Sequence, residues 1–280
     1  MIVRRFRRAA VYAAVFGVGA SAHAPQVLAG SAWPASIAGQ YKFSFNGFEV
    51  GAYQFQHDFN GKTYAASGTA EISAMFGAFT WKGTIKSQGT IDALAPTPTA
   101  YLMSYEGKKV GSVAIAFDKR AVKSYEVLPP KPPNPEAIPV KTDDLKSVFD
   151  PMTAILAISH TSGGKPCERS IPVFDGKTRF NLVMSYKGTE KTADKRPSGL
   201  PSQLIVCNVK YVPVAGHKPK DFTNPWVGYD KIEIALRPVP SANIFVPYRI
   251  TVPTTIGSAI MSADKITITS ADNAEIALSQ

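Results

Sequence analysis

The sequence predicts a mainly β protein: an antiparallel meander forming a partly open barrel or β-spiral around one main helix. Three observations carry that reading. Ahead of position 130 the apolar residues recur with a period of two, the period of a strand with one wet face. Tight-turn dipeptides separate these runs at short spacing, which favours antiparallel neighbours. Only one stretch, opened by Asp150-Pro151, carries the start signals of a sizeable helix.

The chain opens with a leader. Arg4, Arg5, Arg7 and Arg8 form a basic head, and the apolar run Ala9 to Ala20 is too short to span a bilayer. Small residues then offer cleavage after Ala22 or Ala29, and Pro25 disfavours a cut after Ala24. Residues 1–29 are therefore expected to be a signal peptide. Residues 30–270 are expected to form a single β-rich periplasmic domain, with 271–280 as a C-terminal tail.

The strands follow in order. Tyr41, Phe43 and Phe45 alternate with Lys42 and Ser44, and Asn46-Gly47 marks a hairpin turn. Tyr53 and Phe55 alternate with Gln54 and Gln56, and Asn60-Gly61 marks a second turn. Runs at Tyr64–Ser73, Trp81–Ile91, Tyr101–Tyr105 and Lys109–Phe117 continue the meander. Six prolines between 129 and 139 exclude a sheet interior and a helix, and favour an extended path. This stretch reads as a domain linker or, preferably, as an excursion across one rim of the same domain.

Asp143 and Asp144 read as caps of a short turn. After Asp150-Pro151, Met152, Ile155, Leu156 and Ser159 share one helical face, and Gly163-Gly164 supplies a stop. The period of two returns at Phe180–Tyr186, Leu204–Tyr211, Lys231–Leu236, Phe245–Val252 and Ala259–Ile268.

Composition bounds function as well. The formal charge is +10, but four of the cationic residues lie in the leader, leaving +6 spread through loops such as Lys218–Lys220. No basic helix with interleaved aromatics tracks a phosphate backbone, and export itself disfavours nucleic acid. Beyond the leader no apolar run reaches the roughly 18 residues of a membrane-spanning helix.

Cys167 and Cys207 are the only cysteines. In an exported chain such a pair is expected to form a disulfide, contributing roughly 4 kcal/mol by closing a loop of about 40 residues. Redox chemistry would favour a Cys-x-x-Cys spacing, which is absent.

The order of features resembles a known family. It runs from Tyr41-Lys42-Phe43-Ser44-Phe45-Asn46-Gly47 through Val50-Gly51, Ile115-Ala116-Phe117-Asp118 and Asp150-Pro151-Met152-Thr153-Ala154. It ends with Pro172-Val173-Phe174-Asp175-Gly176-Lys177-Thr178-Arg179-Phe180 and the late Cys207. This is similar to the domain-of-unknown-function family 3108, exported proteins of Gram-negative bacteria. The resemblance implies a periplasmic β-rich domain with no assigned activity. It carries over no catalytic residue.

The residues themselves point the same way. Asp175-Gly176-Lys177-Thr178-Arg179 is accounted for by a turn, with an anion site at Lys177 and Arg179 as the sharper reading. Beyond the leader the histidines are His57, His160 and His217, far apart and outside any metal-ligand or nucleophile pattern. No catalytic residue, metal site or cofactor is assigned, and an enzyme is not expected. The candidate site is instead apolar: Phe43, Phe45, Tyr53, Phe55, Trp81, Phe117 and Phe180 lie on strands and read either as the filling of an ordinary core or, more sharply, as the lining of a trough for a lipid or acyl chain. The leading expectation is a non-enzymatic protein that binds a lipid or other apolar envelope component and supports envelope integrity. The alternative is a scaffold that docks envelope proteins through sheet edges and loops.

Overall fold

The computed structural model describes residues 33–74, 77–92, 95–130, 132, 134–160, 165–192, 201–219 and 230–279. The readings on the leader and on Gly163-Gly164 lie outside these residues.

Among the described residues, fourteen strands and one α-helix make up the fold. In chain order they are β1 (Ser36–Phe45), β2 (Phe48–Asn60), β3 (Thr63–Ala74), β4 (Phe79–Ile91), β5 (Pro96–Gly107), β6 (Gly111–Asp118) and β7 (Ala121–Leu128), then α1 (Pro151–Ser159). The second half supplies β8 (Arg169–Phe174), β9 (Arg179–Lys191), β10 (Gln203–Ala215), β11 (Ile232–Val239), β12 (Ile244–Thr254), β13 (Gly257–Thr269) and β14 (Glu275–Ser279). The strands pair antiparallel throughout, in one sheet of order β7-β6-β5-β4-β3-β2-β1-β13-β12-β11-β10-β9-β8, with β14 on β13. The sheet is not closed, because β7 and β8 end it without pairing to each other. The predicted fold class therefore stands: mainly β, antiparallel, open, with one helix.

Curvature follows from the contacts of α1. The helix touches β4 and β5 in one half of the sheet and β8 and β12 in the other. From β5 to β8 is ten steps in the sheet order, about 48 Å if the sheet were flat. A nine-residue helix is only about 13 Å long. Both halves can reach it only if the sheet curls round it. The sequence face Met152, Ile155, Leu156, Ser159 therefore understates its burial: seven of nine helical residues are buried, and Ile155 is only half-buried. A helix apolar on all sides is the mark of an enclosed element.

Turn chemistry sets the register. Asn46 and Gly47 both take positive φ, 51° and 85°, as a two-residue primed turn requires. At the second hairpin β2 runs one residue further than the dipeptide suggests, so Gly61 (φ 59°) opens the loop and Asn60 stays in the strand.

Three core clusters fill the interior. One lies between β1 and the β10–β14 half, with Ile37, Tyr41, Val246 and Ile266. A second lies under β3–β6, where Tyr64, Tyr101, Ile115 and Phe117 meet Met152 and Leu156 of the helix. The third surrounds the Cys167–Cys207 disulfide, with Ala157, Ile158 and Leu236.

The proline-rich stretch returns to the same body: Ile138 exchanges backbone hydrogen bonds with Gly216 and His217 after β10. Within the C-terminal segment 271–280, β14 adds five residues to β13 and buries Leu278.

Candidate functional site

The apolar site forms where β1 and β2 face α1. Along β2 the inner-face residues Tyr53, Phe55, His57 and Phe59 stand two apart. Their rings form a row: Tyr53 to Phe55 at 6.0 Å, Phe55 to His57 at 5.0 Å and His57 to Phe59 at 6.4 Å between centroids. Trp33 continues it, stacked on Phe59 at 5.2 Å and on His160 at 4.3 Å. Two glycines make room. Gly39 and Gly68 oppose Phe55 on the flanking strands, and a Cβ at either would collide with the ring of Phe55 or Tyr53 respectively.

Between this row, the helix and the facing strands lies a partly open cavity of about 60 Å³. Tyr41, Tyr53 and Phe55 line one side, Met152 and Ile155 the helix side, and Val246, Ile250 and Met261 the far side. Its polar groups are few. The Tyr41 hydroxyl donates to the Pro247 carbonyl at 2.6 Å, and burial pushes that phenol well above its usual range. Burial also pushes Tyr53 up to about 12 and the His57 imidazole down to about 4, leaving both uncharged near neutrality.

The predicted lining residues separate. Tyr53 and Phe55 line the cavity. Phe43 and Phe45 are half-buried further along β1. Trp81 is half-buried on β4, its ring over Gly83. Phe117 is buried in the second core cluster, and Phe180 stacks on Tyr211 at 4.4 Å beside the third. Residues on one face of a fourteen-strand sheet are not neighbours once it curls. Tyr41, His57, Met152, Ile155, Val246, Ile250 and Met261 also line the cavity but were not among the predicted lining, because their proximity depends on which strands face the helix.

Below the helix N-terminus lies a second polar feature. Asp150 is fully buried and accepts hydrogen bonds from the backbone N–H groups of Met152 and Thr153, each at 3.0 Å. Its other oxygen accepts from the Ser87 hydroxyl at 3.2 Å and from the Thr153 hydroxyl. Tyr64 joins through Thr153 Oγ1 at 2.6 Å. Burial nevertheless raises the Asp150 carboxyl above its usual range. The arrangement ties helix to sheet. The Asp175 loop is a turn: its carboxylate accepts from Lys177 N, Thr178 N and the Thr178 hydroxyl. Arg179 donates to the Asp144 and Phe180 carbonyls and to Asn181, so it is committed to the protein. Among the described residues no three His, Cys, Asp or Glu side chains gather as a metal-binding group, and no helix is long and apolar enough to cross a membrane.

Fold and cavity define a class: one antiparallel sheet curled round a buried helix, with an apolar interior. The chain belongs to the DUF3108 family of proteins of unknown function, whose sequence profile matches residues 40–264. No curated protein and no solved structure gives a significant match.

Proposed function

We propose that this is an exported, non-enzymatic envelope protein that binds a lipid or other apolar envelope component against the aromatic row of β2. The leader and the disulfide support export to an oxidising compartment. The observation that carries the binding reading is the cavity between that row and α1, walled almost wholly by apolar side chains. At about 60 Å³ it is smaller than the roughly 150 Å³ that takes up benzene. An acyl chain therefore enters only as α1 moves away from β2 and β12. The test is native mass spectrometry of protein purified from the periplasm without detergent, followed by organic extraction. A reproducible adduct of lipid mass is expected; a clean apo mass with no uptake of an apolar fluorophore sinks the reading.

One observation favours a second reading, docking of an envelope protein by strand addition. Among the described residues strand β7 pairs only with β6, and its residues Lys123 to Glu126 and Leu128 are exposed. A partner held this way is lost when Ser124→Pro spoils the edge, and a partner that survives that change argues against it.

A further inference from the structure

The cavity beside the aromatic row has one imidazole and two thioethers in its lining. Nε2 of His57 lies 3.4 Å from Sδ of Met152, and the Tyr53 hydroxyl approaches the same sulfur at 3.6 Å. Met261 lines the same cavity from β13. His57 and Met152 are both nearly inaccessible, at 4 % and 5 % exposure. A thioether is a weak acceptor that needs no hydrogen bond when buried, so polar groups converging on one buried sulfur call for an explanation beyond packing.

We propose that His57 and Met152 form a binding site for a soft monovalent d10 cation, Cu(I), for which Ag(I) is the redox-inert surrogate. Thioether sulfur selects Cu(I) among biological cations, and imidazole suits copper. The spacing fits. With metal bonds of about 2.0 Å to nitrogen and about 2.3 Å to sulfur, a 3.4 Å separation sets a nitrogen–metal–sulfur angle of about 105°. That angle belongs to a three- or four-coordinate ion, and Met261 lines the same cavity.

Charge and competition argue for the same ion. Among the described residues no carboxylate lines the cavity, so a divalent ion would be buried with two uncompensated charges and a monovalent one with a single charge. The only two cysteines are joined to each other, which removes the thiolates that would otherwise outcompete a thioether.

The experiment is an Ag(I) titration of the disulfide-intact, lipid-free protein, read by native mass spectrometry and by 13C-methyl methionine NMR. The expected result is one bound Ag(I) with the Met152 methyl resonance shifting to completion at one equivalent. Loss of groups that merely orient metal ligands costs 10- to 100-fold in affinity, so Met152→Leu, which conserves volume, should weaken binding by about 100-fold or more. His57→Phe should do the same, whereas Zn(II) should leave the Met152 methyl unmoved. Should Met152→Leu not fold, the methyl shift in the unsubstituted protein decides alone. An unmoved Met152 methyl at one equivalent of Ag(I), or equal affinity in the leucine variant, overturns the proposal. Neither outcome bears on uptake of an apolar ligand, which is read from lipid adducts in a separate preparation.

Discussion

The ring of Tyr125 meets that of Phe174 edge-on, with centroids 5.1 Å apart and planes at 80°. These residues sit on β7 and β8, the two ends of the sheet order, so this pair spans the seam where the roll fails to close. Beside it, Val148 N donates to Arg120 O on one edge, and Phe149 exchanges hydrogen bonds with Pro172 and Phe174 on the other. One short segment thus clasps both edges immediately before the helix cap at Asp150. Phe174 is fully buried whereas Tyr125 is 48 % exposed. Phe174→Ala should cost about 3–5 kcal/mol, and Tyr125→Ala about 1 kcal/mol, the worth of the ring pair. Denaturant unfolding gives both values. Faster amide exchange at Val148 and Phe149 in the milder variant would locate its effect at the seam, and unchanged exchange there would refute the clasp.

The Cys167–Cys207 disulfide joins the segment just before β8 to β10 within the third core cluster. Both cysteines are buried, so reduction should require prior opening of the fold. The double variant Cys167→Ala/Cys207→Ala should lose about 4 kcal/mol by the loop-closure model. The intact mass of the wild-type protein should lie two hydrogens below that of the dithiol form, a deficit that disappears only after reduction in denaturant.

How much of this was legible in the sequence depends on which residues carried the signal. The meander was, because Tyr41, Phe43 and Phe45 alternate cleanly and Asn46-Gly47 has the turn chemistry a hairpin needs. Strand β7 was not. Its turn is made by Lys119 and Arg120 with φ of 48° and 67°, residues that rarely accept that conformation. It is held from outside: the Arg120 guanidinium lies 4.1 Å from the Phe149 ring and donates to the Ser147 carbonyl. Strands β8 and β14 are short and lean on partners already placed. At the site, Tyr53 and Phe55 were visible as strand aromatics, but Met152 reads equally well as any buried helical residue. Only the curl of the sheet sets it against His57.

Asp150 does two jobs with two oxygens, capping α1 and collecting the hydroxyls of Ser87 and Thr153. Asp150→Ala leaves buried N–H and hydroxyl groups without their acceptor and should cost about 3 kcal/mol or more. Asp150→Asn keeps an acceptor for the N-terminal amides and should cost clearly less. Thermal unfolding of the two variants compares them directly, and equal losses would show that the carboxylate charge, not its acceptor geometry, matters.

The pH dependence of stability follows from His57. Its imidazole is pushed down to about 4 by burial, against an ordinary value near 6.5. Between those values the unfolded chain binds a proton that the folded one refuses, so stability falls as pH drops from about 6.5 toward about 4. The full effect of this group is about 3 kcal/mol. Asp150 pulls the other way, because burial raises its carboxyl and its protonated form favours the fold as pH falls. Unfolding free energies across this window for wild type, His57→Phe and Asp150→Asn separate the two. The phenylalanine variant should flatten the decline, and the asparagine variant should steepen it.

Gly39 tests the cavity itself. A Cβ at this position would strike the Phe55 ring and the Ile266 side chain. Ile266 is fully buried in the first core cluster and has little room to yield. Phe55 borders the cavity and can turn into it. Gly39→Ala should therefore destabilise the fold by about 1–3 kcal/mol, the usual cost of overpacking, and fill the space beside α1. Gly188, where an added Cβ would meet nothing within 4 Å, gives the control: Gly188→Ala adds the same methyl without touching the interior. Binding of an apolar fluorophore should fall in the first variant and persist in the second. Equal binding in both would mean that apolar molecules associate elsewhere on the sheet, and would remove the β2 row from consideration as their site.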